Sequence, residues 1–133
     1  MQIETALSTY LLAQTGITGL VGQRVYFVQA PQDTAKPYLV INKISGTREN
    51  SREANTHLAH PRFQLTAFAE TYGACKSIIA AVQTALQGYT GTMGGAGGVA
   101  VGAVFYEDEN DLDPGPNNEL YGVAADYIIW HYE

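Results

Sequence analysis

The stretch Arg62–Leu86, RFQLTAFAETYGACKSIIAAVQTAL, changes its hydrophobic period part-way along, and that change decides the fold. Phe63, Leu65 and Ala67 alternate with Arg62, Gln64 and Thr66, the two-residue period of a strand with one wet face. Cys75, Ile78, Ile79, Val82 and Leu86 then recur at threes and fours, which places them on one stripe of a helix. Thr71 is positioned to cap that helix and Gly88 to end it. A strand running straight into an amphipathic helix is a packing unit, because the helix stripe needs a sheet face to cover.

Outward from this unit the chain supplies further strands. On the N-terminal side, Ile3, Ala6, Leu7, Tyr10 and Leu11 repeat at helical spacing, and Ile17, Leu20 and Val21 add an apolar patch about one turn long. Arg24–Val28 and Tyr38–Ser45 read as strands by their β-branched and aromatic content, with a loop bounded by Pro31 and Pro37 between them. Thr47–His60 is polar, either a long hairpin connection or a mobile arm. On the C-terminal side, Gly88–Gly98 is a glycine-rich stretch expected to be flexible. Val99–Tyr106 reads as a strand, Glu107–Glu119 as an acidic turn and Leu120–Tyr132 as a last, long strand. The order is α-β-β-β-α-β-β. Loops rather than helices between strands favour antiparallel pairing. The expected fold is therefore α+β, a single domain over residues 1–133: a mainly antiparallel sheet of about five strands with two helices packed on one face. The other face should carry much of Tyr38, Tyr121, Tyr127, Trp130 or Tyr132, according to register.

Composition narrows the function. Only 15% of the residues are charged, which fits either a surface covered by partners or a polar, uncharged exterior. The net charge is −6 and the seven Lys and Arg are scattered, so no phosphate-gripping stripe exists. No segment has the roughly 20 apolar residues of a membrane span. Met1–Leu20 lacks the basic start and apolar run of a signal peptide, and Cys75 is the single cysteine, so the expected compartment is a reducing cytoplasm.

The chemical motifs each meet a simpler explanation. The glycine run lacks the Gly-Lys-Ser/Thr step and the following helix of a phosphate loop. An EF-hand begun at Asp108 would place Asp113 where glycine is required, between strands instead of helices. His57 and His60 lie in the polar segment, His131 lies near a strand end, and Cys75 lies on the apolar stripe, away from any dyad. No catalytic residue, metal ligand or cofactor is expected from these features.

Four stretches together carry a family likeness. The opening helix leads to GITGLVGQRVYF, with Val21, Gly22, Arg24 and Val25 entering the first strand. Ala30-Pro31 precedes KPYLVINKISGTRE, opened by Pro37 and Tyr38. The Arg62–Leu86 unit and the ending LYGVAADYIIWH follow in order. The chain resembles the tail-completion proteins of tailed bacteriophages, also called tail terminators or head–tail joining proteins. That resemblance implies a structural virion protein without catalysis. It implies a homo-oligomeric ring, usually hexameric, at the head-proximal end of the tail tube. Such a ring ends tube growth and meets the head connector or stopper, while DNA passes without specific binding. The location implied is the virion tail, and the host cytoplasm during assembly. The second class left open is a small-ligand or enzymatic domain on a ferredoxin-like sheet. Two groups are expected to serve assembly. Arg48, Glu49, Arg52 and Glu53 offer both charge signs to neighbours, and Glu107, Asp108, Glu109, Asp111 and Asp113 face the lumen or its rim, or else form a solvated outer turn.

Overall fold

The strand and the helix expected at Arg62–Leu86 form where the period changes, as Arg62–Ala69 and Tyr72–Leu86. They belong to a computed structural model that describes residues 1–50, 55–112 and 120–133. Thr71 caps the helix: its Oγ1 accepts a hydrogen bond from the Ala74 N–H at 3.2 Å. In chain order the elements are α1 Ile3–Leu12, α2 Thr15–Val21, β1 Val25–Phe27, β2 Tyr38–Ser45, β3 Arg48–Asn50, β4 Asn55–Ala59, β5 Arg62–Ala69, α3 Tyr72–Leu86, β6 Gly91–Met93, β7 Val99–Leu112 and β8 Tyr121–Tyr132.

The expected sheet of about five antiparallel strands under two helices is therefore corrected. One mixed sheet of eight strands curls into a half-barrel, with three helices among the described residues. Four differences account for the change. The polar Thr47–His60 segment contributes a hairpin, β3 with β4, because backbone pairing needs no apolar face. The glycine-rich stretch contributes β6, which pairs with Val99–Val101 of β7. Ile17 and Val21 are fully buried and make α2 a true helix. Finally, β1 lies parallel to β2, since the loop between them carries the chain back to the end where it started. Register shifts at Lys43/Ser45, Val101/Ala103 and Tyr106/Asp108 bend the long strands and account for the curl.

The glycine-rich stretch is also built rather than slack. Met93 is fully buried, and Gly94 lies against α1 at φ +92°. A Cβ at Gly94 would come within 2.9 Å of Ala6 Cα and 2.7 Å of Met1 Sδ.

β8 is the spine of the sheet. It pairs with β5 from Tyr121 to Ile128, with β7 from Gly122 to His131, and with β4 at His131 and Tyr132. The helices gather on one face. Cys75, Ile78, Ile79, Val82 and Leu86 of α3 meet Phe63, Leu65 and Ala67 of β5 and Val123, Ala125, Tyr127 and Ile129 of β8 in one apolar core. Tyr127 is therefore core, where burial pushes its phenol far above the ordinary value. The alternate residues form a second face that carries no helix. Cross-strand register arranges it in rows: Tyr38, Phe68, Gly122 and Leu112; then Val40, Thr66, Ala124 and Asn110; then Asn42, Gln64, Asp126 and Asp108.

Candidate assembly interface

Of the two groups expected to serve assembly, the acidic one lands in a different setting from the turn its sequence suggested, while Arg48 and Glu49 lie on the hairpin that was one of two alternatives for their segment. The carboxylates of Glu107–Asp111 do not form a turn. β7 continues through them to Leu112, paired with β8 as far as Gly122. An outermost strand tolerates such charge because one of its sides faces water. Strand alternation then divides the cluster between the two faces. Glu109 and Asp111 point toward α3, where Glu109 is ion-paired with Lys76 and the Tyr72 hydroxyl donates to Asp111 at 3.1 Å. The Glu109 hydrogen bond raises the Lys76 ammonium above its usual value. Desolvation, then the bond to Asp111, raises the Tyr72 phenol. Asp108 lies on the helix-free face, accepting from the Glu109 N–H at 2.9 Å and from Asn110 Nδ2 at 3.2 Å. Glu107 is exposed. Asp113 lies outside the described residues.

Beside Asp108 in register is Asp126, only 5% exposed, whose Oδ2 accepts from Arg62 Nε at 3.0 Å and Nη2 at 2.8 Å. Its Oδ1 has no hydrogen-bond partner among the described residues. Sequence reasoning missed this pair, although Asp126 is the lone charge in the apolar run GVAADYIIW and so needed a partner.

At the hairpin root, Arg48 is already engaged within the chain. Its Nε and Nη2 grip the two carboxylate oxygens of Glu133 at 2.6 and 3.0 Å, which holds Glu133 below the usual carboxylate range. Glu49 takes part through its backbone pairing with Leu58; Arg52 and Glu53 lie outside the described residues. A second ion pair, Lys43–Glu4 at 2.6 Å, ties β2 to α1. The two pairs border a cleft of about 580 Å³ that His131 also lines. Buried, with its Nδ1 unpartnered, His131 is held below its ordinary value by desolvation.

Cys75 and His60, two groups that catalysis could call on, have structural contacts. Cys75 is fully buried, with Sγ 3.2 Å from the Tyr121 carbonyl oxygen, and burial pushes its thiol up. His60 stacks on Trp130 with ring centres 4.2 Å apart. Among the described residues no three His, Cys, Asp or Glu converge in a metal-holding group.

Among the described residues, five of the ten large apolar side chains left in water lie at the two ends of the sheet, and the other five, Met1, Leu20, Ile44, Tyr72 and Tyr132, lie elsewhere. Phe27 and Val28 are 46% and 71% exposed at and just beyond β1; on β7, Phe105, Tyr106 and Leu112 are 52%, 43% and 40% exposed. A fold presenting so much apolar edge suits assembly into a larger body. The same fold occurs in a virion. A chain from the virion of a native gene transfer agent (GTA) particle is similar with a TM-score of 0.81, over 98% of this chain and 95% of that one, at 15% identity. No curated relative matches the sequence. The chain belongs to the tail completion protein gp17 family, whose model matches residues 5–132, and its role is the structural one of completing a tail.

Proposed function

We propose that this protein assembles into a ring of six copies at the head-proximal end of a tail tube, where it ends tube growth and joins the tail to the head connector or stopper. The observation that carries this reading is the pair of exposed apolar clusters at opposite ends of one sheet, which a free subunit leaves in water. A ring in which each copy covers its neighbour's edge removes both clusters at once. The partners are other copies, the tail-tube protein and the connector protein. The place is the virion tail, reached by assembly in the host cytoplasm. The group Arg48, Glu49, Arg52 and Glu53 contacts neighbouring subunits or the tube.

The role is structural rather than enzymatic. DNA passes through the ring without specific binding, which the charge distribution supports. The net charge is −6, and Lys43, Arg48, Arg62 and Lys76 are each tied to a carboxylate of the same chain. The acidic end of β7, where Glu107, Asp108, Glu109 and Asp111 stand and Asp113 follows in the sequence, lies at the rim of the channel, and the negative charge left there once Lys76 and the neighbouring copy have taken their share keeps the duplex from sticking. No helix among the described residues is long and apolar enough to cross a membrane.

Light scattering on the pure protein, with and without tail-tube protein, tests the ring. A mass of several copies in either condition supports it, and a monomer in both overturns it.

A further inference from the structure

We propose that neighbouring copies join by strand addition, the outer edge of β7 in one copy pairing antiparallel with the β1 edge of the next. The inference rests on the ring reading and names the surfaces that build it. From Ala103 to Leu112, β7 pairs only with β8; β6 covers no more than Val99–Val101. Alternate backbone N–H and C=O groups along ten residues therefore have no strand partner on the outer side, among the described residues. β1 is the other end of the same sheet and, among the described residues, pairs only with β2. Exposed edges of this kind are templates for a further strand.

Strand directions favour the match. β1 runs with β2, β2 against β5, β5 against β8 and β8 against β7, so β7 runs opposite to β1. Continuing the sheet in the same orientation sets the next copy's β1 beside β7 as an antiparallel neighbour. The contact is heterologous, and such contacts close into rings when the rotation permits.

Charge identifies the occupant as a second copy. Among the described residues, Arg24 and Lys36 are the basic side chains with no carboxylate within 4 Å. Both lie at the β1 end, Arg24 just before β1 and Lys36 two residues before β2. Glu107 and Asp108 stand exposed on β7 at the opposite end, with no basic side chain of the described residues within 4 Å and only the more distant Arg62 acting on them. Shape agrees as well. Phe105 stands on the helix-free face, and a cleft of about 270 Å³ lined by Val28, Tyr38, Val40 and Phe68 lies on that face beside β1. The next copy's cleft receives the ring of Phe105.

Charge reversal tests the pairing. Lys36→Glu and Asp108→Lys should each raise the protein concentration needed for assembly by about tenfold. Both changes in one chain should restore assembly, since every junction then carries the pair inverted. Phe27→Cys with Tyr106→Cys in one chain should crosslink into a ladder ending at the ring number under a short bis-maleimide. Rings that form normally in both single variants, with no ladder from the cysteine pair, overturn the edge pairing and leave the ring itself standing. A wild-type protein that stays monomeric even with tube protein overturns both.

Discussion

His131 has its place in the core because its neighbours in β8 demand it: Ile129 and Tyr127 set the alternation, and His131 follows on the same side. Burial then favours the neutral imidazole. Of the charges near it, Glu4 and Glu133 pull its pKa up and Lys43 pushes it down, but desolvation is the largest influence and the result is a lowered value. The unfolded chain therefore binds the proton more readily than the folded one. Stability is full above the ordinary histidine range and is lost as pH falls below about 6.5. Glu133, also lowered, acts in the same direction in a more acidic window, fading as pH drops through its own folded value. Denaturant midpoints measured from pH 7.5 to 5 should fall, and His131→Gln should flatten that slope. An unchanged slope in the variant would show that another group titrates. Residues of this kind are half legible in sequence. Alternation reveals which side of a strand a histidine takes, but the partners brought by α1 and β2 are fixed only in three dimensions.

Among the elements, α3 carries the strongest sequence signal, and its stripe is buried as the spacing requires. Ile79, 1% exposed at the middle of that stripe, should lose about 2–5 kcal/mol on replacement by Ala, read from urea unfolding. The β6–β7 turn supplies a sharper test. Gly94→Ala puts a Cβ against the α1 backbone at a positive φ, so a loss of more than about 1 kcal/mol is expected. Were the stretch slack, the same change would be nearly neutral. These two cases show what a sequence makes readable. β5 and α3 announce themselves because each buries one face, which imposes a period. β3, β4 and β6 are held by backbone pairing with little apolar patterning, so nothing in their composition separates them from loop. The parallel setting of β1 is a tertiary fact with no local signature. The sequence pattern of β7 ends at Tyr106, because charged residues argue against a strand, yet the strand runs on to Leu112, since that rule weakens where the strand is outermost.

At the level of the whole molecule, the acidic residues were legible as a cluster but not as a surface. Strand pairing split them, with Glu109 and Asp111 facing α3 and Asp108 facing the helix-free side. If the rim placement holds, Asp111→Asn with Asp113→Asn in assembled particles should leave tails complete and slow DNA delivery, because a less acidic rim repels the duplex less. Delivery at the normal rate from particles shown to carry the variant would remove the charge from the mechanism. The spine position of β8 reaches beyond stability into the history of each new chain. Its partners β4, β5 and β7 all precede it, so the sheet stays in unjoined pieces, with apolar strands bare, until β8 has left the ribosome. During that interval β7, beyond the three residues that pair with β6, lies open along both of its sides. A β1 from a neighbouring chain then competes with the chain's own β8, and premature sticking between half-made subunits is the hazard that a late central strand creates.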